Sequence, residues 1–189
     1  MPDFNLLGLS GSLRKGSHNT ALLREAARLS GAHLTLADLR LPLYDGDLED
    51  AEGIPPEVQR LADQIRDADA VLIATPEYNQ CFSGVLKNAL DWVSRTKPNP
   101  WRDKPVAIVS AAAGRAGGAR AQYALRLAMT PFQPHLLCGP EVMVAAAGDQ
   151  FDADGTLSGG NYAKLLARLL EALHKAARPG PLNGDADAP

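Results

Sequence analysis

The sequence is poor in cysteine and has no long apolar run. The only two cysteines among the 189 residues, Cys81 and Cys138, form neither a CxxC motif nor a zinc-ligand spacing, which argues against a disulfide framework. The four histidines are scattered without metal-ligand spacing. The first nine residues lack the features of a signal peptide, and no apolar run reaches the roughly 18 residues of a membrane span. These absences predict a cytoplasmic protein with no metal site and no membrane association.

An excess of charge is also missing. The chain has 19 basic and 22 acidic residues, with a net charge of −3. Nucleic-acid-binding proteins usually carry a cluster of basic residues, and none is present here. A hydrophobic content of 46% is sufficient for one α/β domain with a sizeable core. We expect that domain to span residues 1–177, and the Pro-, Gly- and Asp-rich tail at 178–189 to be disordered.

Short apolar runs alternate with segments of helical periodicity. The runs predict strands at 4–9, 33–37, 70–74 and 105–109, and a fifth strand within 135–146 that Gly139-Pro140 interrupts. Residues 38–56 are acidic and rich in proline and glycine, which predicts a loop. Strands that alternate with helices form a parallel sheet with helices on both faces. The expected fold class is therefore α/β.

Three loops of unusual composition follow predicted strands, at residues 10–20, 76–84 and 110–118. In an open parallel sheet, ligands bind outside the carboxyl ends of the strands. Since all three loops leave that edge, we expect them to form a binding site together.

The first loop has the composition of an anion site. It joins a strand to a helix, whose N-terminus offers free N–H groups and a favourable dipole. Hydroxyl, amide and guanidinium groups add further donors. They predict a metal-free phosphate site formed by Ser12, Arg14, Ser17, Asn19 and Thr20.

The residues of this loop, taken by themselves, leave other interpretations open. Gly11 and Gly16 have Walker spacing, but Ser17 occupies the lysine position. The GxGxxG fingerprint is absent, although Asp38 lies where a ribose-binding acid of an NAD site would lie. Ser10 faintly resembles a nucleophile elbow, but almost nothing precedes it. An ordinary polar turn is the remaining alternative.

The second loop and the helix after it are distinctive. Residues 75–92 read Thr-Pro-Glu-Tyr-Asn-Gln-Cys-Phe-Ser-Gly-Val-Leu-Lys-Asn-Ala-Leu-Asp-Trp. Together with Gly-Ser-Leu-Arg-Lys-Gly-Ser at 11–17, this motif resembles the NADPH-dependent FMN reductase family, a flavodoxin-like group that includes quinone, chromate and azo-dye reductases. The resemblance covers roughly residues 6–173. It implies a doubly wound, five-stranded parallel sheet of order 2-1-3-4-5.

The resemblance also implies where the cofactor lies. The FMN phosphate would bind to the five residues of the first loop, and the third loop would close the other edge of the flavin from Ser110 on, with Gly114 and Gly117 allowing close approach. The isoalloxazine ring would lie against Pro76, Glu77, Tyr78 and Asn79.

The sequence departs from the family pattern at the rim of this site. Gln80 stands where the family has a small residue, Ser83 where it has proline, and residues 111–113 are alanines where a Ser or Thr is common. These positions would border the ring. They bear on the choice of electron acceptor and not on FMN binding.

The expected function is that of an FMN-dependent oxidoreductase. FMN would take a hydride from NADPH or NADH and pass electrons to small acceptors such as quinones, azo compounds or metal oxyanions. The cofactor carries this chemistry, so no catalytic side chain is nominated. We expect a homodimer or homotetramer. The alternatives are a flavodoxin-type electron carrier, which would have a strongly acidic surface, and an NAD-binding dehydrogenase that uses Asp38.

Overall fold

The computed structural model describes residues 4–158 and 160–178. The predicted disordered tail lies, from residue 179 on, outside the described residues. The strands are β1 (Asn5–Ser10), β2 (His33–Leu36), β3 (Ala70–Thr75), β4 (Pro105–Ala111), β5 (His135–Leu136) and β6 (Val142–Val144). The helices are α1 (His18–Ser30), α2 (Gly46–Glu52), α3 (Pro56–Asp67), α4 (Gly84–Val93), α5 (Ala119–Met129) and α6 (Gly160–Ala177).

The strands form one parallel sheet of order β2-β1-β3-β4-β5, with β6 also paired to β4. This arrangement confirms the predicted α/β fold and the strand order. The fifth strand is divided in two, because β5 and β6 pair with different parts of β4 on either side of Gly139-Pro140. Pro140 has no N–H to donate to a neighbouring strand, so the pairing cannot run through it.

Helices cover both faces of the sheet. All six residues of β3 are buried, and successive side chains face opposite layers. Leu72 packs in the layer that contains Leu22 of α1 and Leu169 of α6, whereas Ile73 packs in the layer that contains Ile65 of α3. Each such side chain contributes about 1.5–3 kcal/mol to the stability of the fold when it is fully buried. This two-sided core holds the loops at the carboxyl edge in fixed positions.

Helix α2 corrects the expectation that residues 38–56 form a loop throughout. The Asp45 carboxylate caps the helix by accepting a hydrogen bond from Asp47 N at 2.9 Å. Glu49 lies in the first turn, where its charge is favourable to the helix dipole, and Arg95 pairs with it at 2.9 Å. The helix buries no side chain. It therefore lacks the apolar periodicity that would have predicted it.

His174 makes the stability of this fold sensitive to acid. Its ring lies 4.7 Å from the ring of Phe4, and neither of its buried nitrogens has a hydrogen-bond partner among residues 4–158 and 160–178. Burial, and then the nearby Arg178, lower the pKa of His174 below its ordinary value. The unfolded chain therefore binds this proton more readily than the fold does. This contribution to stability is complete above the unfolded pKa of about 6.5 and is lost as the pH falls below it.

We expect His174→Phe to reduce this acid sensitivity. Thermal unfolding between about pH 7.5 and 5.5, across the unfolded histidine pKa of about 6.5, should lower the Tm of the wild type more than that of the variant. His33→Gln changes an exposed histidine and is the matched control. Parallel Tm profiles for the wild type and His174→Phe would contradict the assignment.

Candidate functional site

A cleft of about 290 Å³ opens at the carboxyl ends of β1, β3 and β4. We call it the main cleft. It brings together the three loops that the sequence singled out. Seven of the predicted site residues line it, namely Ser12, Arg14, Ser17, Asn19, Pro76, Glu77 and Tyr78. Its further lining residues are Gly16, His18, Ala111, Ala112, Ala113 and Gly148.

The β1–α1 loop presents donors to the main cleft. Ser17 is the N-cap of α1, and its Oγ accepts a hydrogen bond from Thr20 N at 3.2 Å. The first intrahelical bond runs from Ala21 N to Ser17 O at 3.0 Å. The N–H groups of His18 and Asn19 therefore have no acceptor within the helix. They form a positive helix terminus that suits an anion.

The side chain of Asn19 joins this helix terminus to the end of β4. Its Nδ2 donates to Ala111 O at 2.9 Å, and its Oδ1 accepts from Ala111 N at 3.0 Å. Both residues are buried. Asn19 thus lines the main cleft, but the structure uses its amide to hold two loops together.

Residues 78–81 form a two-residue hairpin at the rim of the main cleft. Tyr78 and Cys81 exchange both backbone hydrogen bonds at 3.0 Å. Asn79 and Gln80 have φ of 50° and 65°, as a type I′ turn requires. Tyr78 is 51% exposed and lines the cleft, whereas Asn79 lies in the turn and does not line it. The hairpin holds the loop after β3 in a defined shape.

Gln80 stores backbone strain, because a left-handed residue with a side chain costs about 1–2 kcal/mol. We expect Gln80→Gly to raise the free energy of unfolding by about 1 kcal/mol. This net gain is the strain that is relieved, less the larger conformational entropy that glycine loses on folding. Denaturant unfolding measures the change. Glycine substituted at the exposed Lys15 is a control that should bring no gain. An equal gain at both positions would contradict the strain at Gln80.

Glu77, which was predicted to lie against the flavin ring, lines the main cleft, and its carboxylate contacts α5. Oε2 accepts hydrogen bonds from Arg120 N at 3.0 Å and Ala121 N at 3.2 Å. The N-cap of α5 is Gly118, which has no side chain to offer. Glu77 therefore caps α5 and ties the second loop to the third while it borders the main cleft.

The loop after β4 begins later than predicted. The strand extends through Ala111, so Ser110 is fully buried within it and does not line the main cleft. Its Oγ donates to Gly117 O at 2.6 Å and accepts from Gln122 Nε2 at 2.8 Å. These two bonds hold the Ser110 hydroxyl against Gly117 and α5, outside the lining of the main cleft.

Gly114 and Gly117 were expected to allow close approach to a ligand, but neither lines the main cleft. Gly117 has a φ of 60°, and a Cβ there would collide with the carbonyl group of Met143. Gly117 therefore allows the loop to lie close to the backbone of Met143, within the chain itself. Gly114 has no atom within 4 Å of where a Cβ would stand. In this part of the main cleft the lining residues are Ala111, Ala112 and Ala113.

The remaining predicted residue, Thr20, lines a neighbouring cleft. Its Oγ1 lies 2.8 Å from Ser10 Oγ. Sequence reasoning missed Gly148, which follows β6 and carries no motif, and did not commit to His18, whose ring stacks on Phe151 with centroids 5.4 Å apart. The position of His18 inside the first loop was the available signal.

The donors of the main cleft are hydroxyl, guanidinium and backbone N–H groups, which suit a phosphate. Residues 4–158 and 160–178 contain no group of three or more His, Cys, Asp or Glu side chains placed to hold a metal ion. No helix in this part of the chain combines the length and apolar character needed to cross a membrane.

Comparisons with known proteins identify the family of this chain. The family model for NADPH-dependent FMN reductase matches residues 4–149. An NAD(P)H-dependent FMN reductase of Pseudomonas aeruginosa is 49% identical over 174 residues, which cover 90% of this chain and 94% of that protein. A quinone reductase of Escherichia coli is 42% identical over 150 residues, covering 76% and 79% of the two chains.

A solved structure agrees as well. FerB, a flavoenzyme NAD(P)H:(acceptor) oxidoreductase from Paracoccus denitrificans, aligns with a TM-score of 0.83 and 32% identity. The alignment covers 92% of this chain and 97% of that one. The sequence motifs, the sheet order and these matches lead to the same conclusion: the chain belongs to the NADPH-dependent FMN reductase family.

Proposed function

We propose that the protein is an FMN-dependent NAD(P)H oxidoreductase that reduces small acceptors such as quinones, azo compounds or metal oxyanions. One observation carries the proposal. Groups able to bind an anion at the start of α1 and the small apolar residues Pro76 and Ala111 to Ala113 line the same cleft. FMN combines a phosphate with a flat ring. The activities named for the relatives support the same function.

The residues present fit this cofactor. Ser12, Arg14 and Ser17 line the cleft beside the free N–H groups of α1 and match the acceptors of a phosphate dianion. Pro76 and the alanines at 111–113 offer small apolar surfaces for a ring. The carboxylate of Glu77, which also lines the cleft, is directed to the N-terminus of α5, where Oε2 accepts hydrogen bonds from Arg120 N and Ala121 N.

The protein's contribution is to bind and orient. FMN, when bound, supplies the chemistry by accepting a hydride from NAD(P)H and passing electrons to the acceptor. The hairpin at 78–81 and the Glu77 cap fix the second loop, so the backbone groups there are preorganised. Tyr78 is half-exposed at the rim, where an acceptor would arrive. Such an open site suits small acceptors of several kinds.

We further propose a homodimer or homotetramer that works in the cytoplasm. Large apolar side chains are exposed at Leu43 (81%), Leu127 (75%) and Tyr123 (57%). Exposed apolar residues of this size support self-association when they form patches. Light scattering after size-exclusion chromatography would give the mass. A monomer at micromolar concentration would contradict this part of the proposal.

The experiment that tests the function is purification followed by absorbance spectroscopy. We expect a yellow protein whose apo form binds FMN about 10- to 100-fold more tightly than riboflavin, which lacks the phosphate. The FMN-loaded protein should oxidise NADPH or NADH when a quinone is present. A colourless protein that neither binds FMN nor oxidises NAD(P)H would overturn the proposal, and FMN binding without direct NAD(P)H oxidation would favour an electron carrier.

A further inference from the structure

His18 lines the main cleft, and the proposed function has so far given its side chain no role. It is the first residue of α1 and directly follows the N-cap Ser17. Its ring therefore belongs to the same helical turn as the free N–H groups that suit an anion. Any charge that the ring carries acts directly on an anion bound at this helix terminus.

A stack on Phe151 orients the imidazole ring. The two ring centroids lie 5.4 Å apart, and the ring planes differ by 21°. Phe151 is itself held by an antiparallel bridge to Leu157 and by packing against the core layer that contains side chains of α1 and α6. Stacking engages the face of the imidazole. It leaves Nδ1 and Nε2, which lie at the edge of the ring, available to another partner.

The fold makes no other use of this ring. Within residues 4–158 and 160–178, neither nitrogen of His18 takes part in a hydrogen bond or an ion pair. The guanidinium of Arg14, which lines the same cleft, is also without an ion-pair partner there. A neutral imidazole offers one N–H donor, whereas an imidazolium offers two donors and a positive charge. Its protonated form would therefore complement Arg14 toward an anion.

Few charges compete with an anion for this ring. The titratable groups on the surrounding elements are those of the cleft lining and of the segment after β6, namely Arg14, Glu77, Tyr78, Asp149 and Asp152. The Glu77 carboxylate accepts hydrogen bonds from the N-terminus of α5. Both aspartates are exposed, so solvent and salt screen their charges. The loop after β4 contributes only alanines to the lining.

We propose that His18 is a further ligand of the FMN phosphate and that it binds this group as an imidazolium. The inference rests on the proposed function, because it concerns the cofactor of the same site. Histidine ordinarily titrates at about pH 6.5, and a phosphate monoester is mainly a dianion above about pH 6. A dianion favours the protonated ring, so FMN binding takes up a proton. The affinity that the imidazolium adds is present near pH 6.5 and is lost as the pH rises and the complex releases that proton.

The test compares the affinities for FMN and riboflavin as the pH changes. Quenching of flavin fluorescence on titration of the apo protein gives both affinities, and their ratio isolates the contribution of the phosphate. For the wild type we expect this ratio to rise about 5- to 10-fold between about pH 8.5 and 6.5, as one hydrogen bond becomes charge-assisted. His18→Phe keeps a ring that can stack on Phe151 but removes both nitrogens, so its ratio should be nearly independent of pH. His33→Gln, at a cleft by the amino ends of β1 and β2, is the matched control and should keep the wild-type profile.

The outcomes separate this inference from the proposed function. A wild-type ratio that does not vary with pH, or that varies equally in His18→Phe, overturns the inference alone. An equal loss of affinity for FMN and riboflavin in His18→Phe also overturns it, because the ring would then act on the flavin or on the shape of the loop. A protein that does not bind FMN overturns the proposed function instead. If the Tm shows that His18→Phe is not folded, His18→Gln, which also cannot titrate, takes its place with the same expectation.

Discussion

Replacing Arg14 by alanine should weaken FMN binding about 10- to 100-fold, which is the effect of a lost hydrogen bond from a charged group. Arg14 is exposed at the rim of the main cleft and has no ion-pair partner among residues 4–158 and 160–178. Its removal should therefore change the free energy of unfolding little. Quenching of flavin fluorescence on titration of the apo protein measures the affinity.

Riboflavin provides the control for this prediction. Arg14→Ala should leave riboflavin affinity unchanged, because riboflavin has no phosphate for the guanidinium to bind. Arg60→Ala, at the opposite end of the sheet, should change neither affinity. Equal losses for FMN and riboflavin would show that Arg14 acts on the shape of the loop. An unchanged FMN affinity would exclude Arg14 from the phosphate site.

Replacing Asn19 by alanine should lower the free energy of unfolding by about 2–4 kcal/mol, because two buried hydrogen bonds are lost. The N–H and C=O of Ala111 would lose their side-chain partner in a buried position. FMN affinity should fall as well, since the amide holds the start of α1 against the end of β4. Denaturant unfolding of the apo protein and flavin titration measure the two effects.

Asn99 offers a matched comparison. Its Nδ2 donates to Phe132 O at 2.9 Å, and its Oδ1 accepts from Trp101 N at 3.0 Å. The same kind of amide bridge thus occurs outside the main cleft. Asn99→Ala should destabilise the protein without a direct effect on FMN affinity. If Asn19→Ala lowered stability alone, the bridge to Ala111 would be a general structural contact that does not shape the site.

The fold could be predicted in large part from local pattern. The apolar run at 70–74 is buried on both faces of the sheet, so it shows no alternation and reads as a central strand. Ser17 and Gly31 bound α1 as N-cap and left-handed C-cap, and these residue types mark helix ends in any sequence. Such signals depend on residues that are close together in the sequence, so they can be recognised without a structure.

Helix α2 could not be predicted in this way. It is seven residues long and buries nothing, and Arg95 holds it from a position 46 residues along the chain. A short helix is marginal on its own, so its stability comes from tertiary contact. The division of the last strand into β5 and β6 was anticipated from Gly139-Pro140, but only pairing with β4 decided which residues joined the sheet.

The sequence by itself determined the fold class, the three loops at one edge of the sheet and the residue types from which we infer a phosphate site. The tertiary structure alone decided which side chains face the main cleft. The Glu77 carboxylate caps α5, and the Ser110 hydroxyl bonds with Gly117 O and Gln122 Nε2. Thr20 lines a neighbouring cleft. A motif specifies which donors are present, but their direction depends on acceptors that are distant in sequence, and only the folded chain brings these within hydrogen-bonding distance.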